Sequence, residues 1–200
     1  MSTGTRVPFR QAADAAHFLV VLLRDYCERI EVAGSIRRLR NDVGDIELVA
    51  IPKIETEPDG MFAERTVNRL SEKIDALLGD QTWIKPHPTD PKRGERYSKL
   101  IDAETGMQLD LFSASPSTFG LIFLIRTGPA SFSQRFVTEL HGAGFHSAGG
   151  VLHRGGGWSD RTGWHPPFGC PSRCEAVPTP DEADVFAVAG WPFVAPELRA

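Results

Sequence analysis

The sequence predicts an α+β fold, and three patterns carry this prediction. Apolar residues recur at helical spacing over residues 9–26. A short strand at 30–33 and a β-type run at 45–51 are separated by a Gly-Ser turn, which indicates antiparallel neighbours. Residues 107–113 alternate apolar and polar side chains, as a half-buried strand does.

Composition excludes several classes of protein. The chain has 200 residues, of which 41% are apolar and 24% charged, and this argues against disorder, collagen and coiled coil. No apolar run approaches the roughly 18 residues that span a bilayer, and no signal peptide is evident. We therefore expect no membrane partner and a location in the cytoplasm of a bacterial or virus-infected cell. The net charge is −4, so nucleic-acid binding would need local basic patches.

Three further segments have recognisable patterns. Apolar residues over 61–78 are spaced for one helical face, and the string TEPDG at 56–60 predicts a loop before them. Residues 131–141 are also helical by pattern. Thr-Pro-Asp-Glu at 179–182 has capping-box spacing, which predicts a short helix over 183–189.

Two stretches are irregular. Residues 85–99 contain five basic and two acidic side chains, and they form either a solvated hairpin or loop, or a contact for nucleic acid. Seven glycines and four prolines fall within 146–178, which predicts long loops or an irregular hairpin. Zinc binding there is an open alternative, because Cys170 and Cys174 have an acceptable spacing and His153 and His165 are nearby in sequence.

Two acidic residues in the 45–51 run indicate a cation site. Asp45 and Glu47 are two residues apart on a predicted strand, so their side chains leave the same face. Two neighbouring carboxylates repel, and they remain ionised together when a divalent cation lies between them. Mg²⁺ prefers such hard oxygen ligands together with substrate phosphates. Asp110, on the 107–113 strand, is the candidate third carboxylate.

The preceding turn has features of a phosphate site. Gly34 allows close approach of the backbone, and Ser35 adds a hydroxyl at a strand end. Arg37 or Arg38 could add charge-assisted contacts to phosphate oxygens. A phosphate cradle ahead of a metal-binding acid pair is what transfer of a nucleotidyl group requires.

The string GSIRRLRNDVGDIELVAIP resembles the signature of the DNA polymerase beta-like (family X) branch of the nucleotidyltransferase superfamily. Four later segments resemble further family motifs in the same order. They are QLDLF at 108–112, Thr-Gly-Pro at 127–129, Ala-Gly-Phe at 143–145, and DEADVF at 181–186 followed by Gly190, Pro196 and Arg199.

The resemblance implies two domains. The first, residues 1–115, would be a nucleotidyltransferase palm, a mixed sheet with helices on one face. The second, residues 116–200, would be a small α/β thumb-like domain that carries the irregular insertion at about 146–178. The lyase and fingers domains of larger family members would be absent, a minimal layout known from a few short viral members.

The resemblance also implies an activity. The chain would be a Mg²⁺-dependent DNA polymerase and repair enzyme that adds dNMP from dNTP to a primer 3′-hydroxyl, in short gap filling on primer-template or gapped DNA. Asp45 and Glu47 would bridge two Mg²⁺ ions, for which Mn²⁺ could substitute, and Asp110 would complete the site of the ion that activates the 3′-hydroxyl. We expect a monomer, with a helper protein as one means of gripping DNA.

Other residues are implied to contact the substrates. The nucleotide contacts implied are Gly34, Ser35, Arg38, Gly44, Thr127 and Gly128. The DNA contacts implied are Arg37, Arg40, Lys92, Arg93, Arg96 and Lys99.

Two departures from the family pattern keep an alternative open. Glu47 stands where the polymerases usually have Asp, and Ile125-Arg126 stands where they commonly have an aromatic residue. A template-independent terminal transferase or a small-molecule nucleotidyltransferase would also fit these residues. A degenerate binding module without activity is a third possibility.

Overall fold

A computed structural model of the chain shows a mixed α+β structure with a mixed sheet and six α-helices among the residues it describes, as the α+β prediction requires. The described residues are 6–61, 63–86, 93–155 and 174–199. The chain divides into two compact units, Met1–Ser115 and Pro116–Ala200, at the boundary between the two predicted domains. Each unit has its own hydrophobic core.

The first unit contains three helices and ten strands in its described part. In chain order they are β1 (Val7–Pro8), α1 (Phe9–Leu23), a 3₁₀ turn (Arg24–Tyr26), β2 (Cys27–Val32), α2 (Gly34–Arg37), β3 (Asp42–Val43), β4 (Ile46–Pro52), β5 (Ile54–Asp59), β6 (Ala63–Asn68), α3 (Arg69–Gly79), β7 (Trp83–Ile84), β8 (Arg93–Gly94), β9 (Tyr97–Asp102) and β10 (Gln108–Ser113). The predicted first helix is confirmed, and the sheet-facing side of α1 buries Ala12, Ala16, Leu19 and Leu23.

The main sheet has the strand order β2-β4-β10-β9-β7, and β8 pairs with β9. β4 and β10 run parallel, whereas β2 is antiparallel to β4 and β9 is antiparallel to β10. The antiparallel strands predicted on either side of the Gly-Ser turn are therefore confirmed. β4 reads IELVAIP and is buried at nearly every position, as expected for a central strand covered on both faces. This topology places the start of β4 beside the start of β10.

The segment after residue 53 corrects the sequence prediction. A loop at 56–60 and a helix from residue 61 were expected, but β5 and β6 form an antiparallel hairpin and α3 starts only at Arg69. The side chain of Asn68 caps α3 by accepting a hydrogen bond from the Ser71 amide at 2.9 Å. Arg65 also pairs with Glu57 across the hairpin at 3.0 Å. A side-chain cap and cross-strand pairing override the helical spacing of the apolar residues.

The second unit combines helices with a small antiparallel sheet. Its described elements are α4 (Phe119–Thr127), α5 (Ala130–Gly142), β11 (Phe145–Ala148), β12 (Val151–Arg154), β13 (Glu175–Val177), α6 (Glu182–Ala189) and a 3₁₀ turn (Pro196–Leu198). The three strands pair in the order β11-β12-β13. The predicted helix over 131–141 is confirmed as α5.

The predicted helix over 183–189 is present as α6, but its cap lies elsewhere. Asp181 and Asp184 form the capping box, rather than the pair at 179 and 182. The Asp181 amide donates to the Asp184 carboxylate at 2.8 Å. The carbonyl of Thr179 instead accepts a hydrogen bond from the amide of Gly120, at 2.7 Å. A Cβ atom at Gly120 would collide with this backbone, so a glycine is needed where α4 meets the chain ahead of α6.

A buried arginine, Arg199, contacts several residues in the core of the second unit. Arg199 has no exposed surface, and its Nη1 donates to Glu182 Oε1 at 2.6 Å. Its Nε and Nη2 both donate to the carbonyl of Val194, at 3.0 and 2.8 Å. The guanidinium also lies over the rings of Phe132 and Phe186, 5.4 and 5.3 Å from their centroids. The charge is thus paired and hydrogen-bonded, which is the condition for burying it.

No helix in the described ranges is both long and apolar enough to cross a bilayer.

Candidate functional site

The three candidate carboxylates lie at one end of two neighbouring strands. Asp45 directly precedes β4, Glu47 lies within it, and Asp110 lies in β10. The parallel register of β4 and β10 pairs Glu47 with Asp110, so these side chains leave the same face of the sheet. Asp110 lies 63 residues after Glu47 in the sequence, and the pairing of the two strands places it beside the acid pair.

Asp45 lies close enough to Asp110 for the two charges to interact. Burial raises the pKa of the Asp45 carboxyl, and the negative charge of Asp110 raises this pKa further. The positive charges of Lys99, Arg6 and Arg38 lower it. Two partly buried carboxylates that repel each other provide an electrostatic environment that favours a bound cation.

Asp110 is held by its neighbours in the sheet. Tyr97 donates a hydrogen bond from its hydroxyl to Asp110 Oδ1 at 2.9 Å, and Gln108 Nε2 donates to the same oxygen at 3.2 Å. Lys99 stands directly opposite Asp110 in the antiparallel register of β9 and β10. The row Glu47, Asp110 and Lys99 thus crosses three adjacent strands on one face.

Two features of the structure favour glycine at position 34. Its φ of +63° lies in the left-handed region that side chains disfavour. A Cβ atom at this position would also collide with the Glu47 carboxylate. In this structure the group that lies against Gly34 is the Glu47 carboxylate, and the expected contact of Gly34 with a phosphate stays a prediction. Glu47 is also tied to the turn through its carbonyl, which accepts from the Ala33 amide at 2.8 Å.

The Ser35 hydroxyl is the second unusual group of the turn. Its Oγ is buried and has no hydrogen-bond partner among the described residues. Buried polar atoms are nearly always satisfied, so a buried hydroxyl without a partner indicates a place for a ligand or water. Arg38, three residues later, acts on the charge of Asp45. The turn therefore carries a buried hydroxyl, and an arginine whose charge acts on Asp45 follows it.

The chemistry of these side chains fits a hard divalent cation. Three carboxylates and a hydroxyl are oxygen donors of the kind that Mg²⁺ and Mn²⁺ prefer. Within the described part of the chain, however, no three acidic, histidine or cysteine side chains are grouped as metal ligands. The Glu47 carboxylate lies against Gly34, so it would have to turn toward Asp45 and Asp110 to complete such a group.

No protein-family model matches the chain, and no curated protein matches it either. The proposed family relationship therefore rests on the motifs in the sequence and on the arrangement of these residues.

The remaining predicted contact residues fall in several places. Arg37 is half-buried in α2, Arg40 and Arg96 are exposed, and Gly44 is half-buried next to Asp45. Arg93 lies in β8, but its side chain lies outside the described part of the structure, as does the whole of Lys92.

Thr127 and Gly128 belong to the second unit. Thr127 is fully buried at the end of α4. A Cβ atom at Gly128 would collide with the side chains of Phe132 and Ser133. Both residues therefore have a packing role within their own unit, and their predicted contact with the nucleotide stays a prediction.

Sequence reasoning missed three residues of the site. The charge of Arg6 acts on Asp45, and Arg6 donates to Asp42 Oδ2 at 3.1 Å where β1 pairs with β3. Tyr97 reaches Asp110 from β9. Neither residue is marked by a sequence motif, since both depend on strand pairing. The alternation in its strand does predict Gln108 on the same face as Asp110, but it does not predict the hydrogen bond between them.

The zinc alternative stays a prediction, because only His153 and Cys174 of its four candidate ligands lie among the described residues. His153 pairs with His146 across β11 and β12, and their rings stack at 5.4 Å. The Cys174 sulfur lies 3.7 Å from His146 Nε2. His165 and Cys170 lie outside the described residues.

Proposed function

We propose that the chain is a Mg²⁺-dependent nucleotidyltransferase of the family X polymerase type, which adds dNMP from dNTP to a primer 3′-hydroxyl in short gap-filling synthesis. In this proposal the first unit is the palm and the second is the thumb-like domain. The observation that carries the proposal is the register of β4 and β10, which puts Asp110 beside Glu47 and within electrostatic reach of Asp45. Residues distant in sequence thus meet on one face, next to the Gly-Ser turn.

The reaction needs a group that takes up a proton. The oxygen of the acceptor hydroxyl forms a bond to the α-phosphorus, and the bond from that phosphorus to pyrophosphate breaks. The hydroxyl proton passes to a carboxylate, and Asp110 is the one whose orientation is fixed by two hydrogen bonds. Magnesium, when bound by Asp45, Glu47 and Asp110, would supply charge neutralisation at the phosphates and lower the pKa of the hydroxyl.

The cationic and hydroxyl groups of the site suit a triphosphate. The buried Ser35 hydroxyl, which has no protein partner among the described residues, can donate to a phosphate oxygen. Arg38, Lys99 and Arg6 each act electrostatically on Asp45, so all three are near the place where phosphates would lie. Positive side chains next to a carboxylate cluster match a ligand that brings both phosphates and cations.

Binding of DNA would be weak and sensitive to salt. The chain has a net charge of −4, so it lacks the overall positive charge of proteins that grip DNA over a broad surface. The exposed side chains of Arg40 and Arg96 could contact backbone phosphates. Affinity from a few such contacts falls steeply as salt displaces them.

Extension of a labelled primer on a one-nucleotide gapped duplex tests the proposal. We expect Mg²⁺-dependent addition of the complementary dNMP, loss of addition in Asp110→Asn, and retention in Asp14→Asn, which removes an exposed acid of α1. Equal addition with and without a template strand would replace the proposal by terminal transfer. Absence of transfer to DNA by the folded wild-type chain, with either Mg²⁺ or Mn²⁺, would contradict it.

A further inference from the structure

Two contacts of Tyr97 can be separated experimentally. Its ring stacks on Phe112, its direct partner in the β9–β10 register, with centroids 4.9 Å apart and planes inclined by 20°. Its hydroxyl reaches diagonally along the same face and donates to Asp110 Oδ1 at 2.9 Å. Such diagonal neighbours on antiparallel strands are within reach of an aromatic side chain. The ring is therefore held by packing against Phe112, and the hydroxyl is hydrogen-bonded to the Asp110 carboxylate.

Gln108 acts on the same oxygen of Asp110. Its Nε2 donates to Oδ1 at 3.2 Å from two residues earlier in β10. Among the described residues, both side-chain hydrogen bonds to this carboxylate therefore fall on Oδ1. The terminal torsion of an aspartate is otherwise broad and poorly fixed. Two donors on one oxygen restrict that torsion and leave Oδ2 as the oxygen for a cation or for the acceptor proton.

We propose that Tyr97 is a positioning residue that fixes the Asp110 carboxylate through Oδ1, so that Oδ2 is presented to the metal ion and the acceptor hydroxyl. This inference rests on the proposed function, since Asp110 is the proposed metal ligand. Partners that orient metal-binding side chains commonly change metal affinity or activity by about 10- to 100-fold when removed. A purely structural tyrosine at this position would affect stability and leave both quantities unchanged.

Tyr97→Phe is the informative variant, because it removes the hydroxyl and keeps the ring that stacks on Phe112. Tyr26→Phe is the matched control. Tyr26 is the only other tyrosine of the chain, and it precedes Cys27, which pairs with Pro52 at the opposite end of β4 from Glu47. Three quantities are compared with wild type: the Kd for Mn²⁺ by electron paramagnetic resonance, the kcat and KM for dNTP on a gapped duplex, and the thermal midpoint.

We expect Tyr97→Phe to weaken Mn²⁺ binding and to lower kcat, each by about tenfold or more, with a KM for dNTP within about twofold of wild type. Its thermal midpoint should stay close to that of wild type, because the ring stacking is retained. Tyr26→Phe should match wild type in Mn²⁺ affinity and in kcat. Adding Gln108→Leu to Tyr97→Phe should give a combined effect that is not the product of the two single effects, since both donors act on one oxygen.

The outcomes separate this inference from the proposed function. If wild type transfers nucleotides and Tyr97→Phe equals it in Mn²⁺ affinity and in kcat, the positioning role is wrong and the proposed function stands. If the folded wild type neither binds Mn²⁺ nor transfers nucleotides, the proposed function fails and the inference falls with it. An equal loss of kcat in Tyr26→Phe would also overturn the inference, since it would assign the loss to a general effect of removing a hydroxyl.

Discussion

Two regions of the molecule hold charged side chains away from water, and they do so in opposite ways. In the second unit, Arg199 and Glu182 are both buried, and the guanidinium is paired with the carboxylate and hydrogen-bonded to the Val194 carbonyl. In the first unit, Asp45 and Asp110 are like charges that repel, beside a Ser35 hydroxyl with no partner among the described residues.

The difference separates a structural use of charge from the functional use that we propose. A buried ion pair with matched hydrogen bonds has its charges and its polar atoms satisfied within the protein, so it needs no further ligand. Repelling carboxylates, and a buried hydroxyl that has no partner among the described residues, leave interactions that a bound cation and its ligand can supply. We therefore expect substitutions in the first region to change activity at little loss of stability, and those in the second to do the reverse.

Asp110→Asn should have the largest effect on activity. It removes a proposed cation ligand and proton acceptor, so we expect nucleotide transfer to fall by about a thousandfold or more, equivalent to several kcal/mol of charge stabilisation. Its thermal midpoint should equal or exceed that of wild type, because the repulsion with Asp45 is relieved. Single-turnover primer extension and thermal unfolding check the two expectations. A large loss of stability together with the loss of activity would contradict a functional role for this charge.

Arg199→Met should have the opposite profile. Leaving the Glu182 carboxylate buried without its partner should lower the free energy of unfolding by about 3 kcal/mol or more. Urea denaturation of the purified chain measures this loss. The double variant Arg199→Met/Glu182→Leu should recover much of the stability, because no charge is then left unpaired. A single variant as stable as wild type would show that the pair does not hold the second unit together.

Gly34→Ala should affect both stability and activity. A side chain in the left-handed region is unfavourable by about 1–2 kcal/mol, and the new methyl group would also displace Glu47. Gly106→Ala is the matched control, because Gly106 has a similar φ of +70° but no atom near its Cβ position. Both variants should lose stability in thermal unfolding, and only Gly34→Ala should lose nucleotide transfer beyond that loss. Equal activity in the two variants would contradict a role for the contact between Gly34 and Glu47.

The smallest expected effect is the pH dependence from Asp45. Because the folded pKa of this carboxyl is raised, the folded protein is stabilised at low pH relative to the unfolded chain, and this contribution is lost as pH rises through the raised pKa. At pH 7 and without metal, Asp45→Asn should therefore be more stable than wild type, by less than about 1 kcal/mol since the group is partly exposed to solvent.

Thermal unfolding in a chelator-containing buffer between pH 4 and pH 7 measures this difference for Asp45→Asn. The gain should disappear near pH 4, which is the ordinary pKa range of an aspartate, about 3.9. If the gain in stability does not depend on pH, it comes from packing and not from the charge of Asp45.

Much of the fold could be predicted from periodicity, because burial of one face leaves a local pattern. The spacing of Ala12, Ala16 and Leu19 predicts α1, and the apolar run before Pro52 predicts β4. The β5–β6 hairpin could not be predicted in this way. Its strands are mostly exposed, so no apolar alternation marks them, and its register depends on pairs such as Arg65 with Glu57.

The site was predictable only where chemistry is visible in a short string. Gly34, Ser35, Asp45 and Glu47 stand within one motif, and Asp110 could be inferred from an acid in an apolar strand. Residues that join the site through non-local pairing leave no such signal. Tyr97 and Arg6 contribute through strand registers that only the folded chain defines. The same limit applies to the side chain of Glu47, whose position against Gly34 no sequence pattern indicates.

The most direct test of the account is a crystal structure of the chain with Mn²⁺ and a non-hydrolysable dNTP analogue, with anomalous scattering to locate the metal. We expect Mn²⁺ coordinated by Asp45 and Asp110, with Glu47 turned away from Gly34 to join them and the triphosphate hydrogen-bonded to Ser35. Manganese and nucleotide bound elsewhere, with the Glu47 carboxylate still against Gly34, would contradict it.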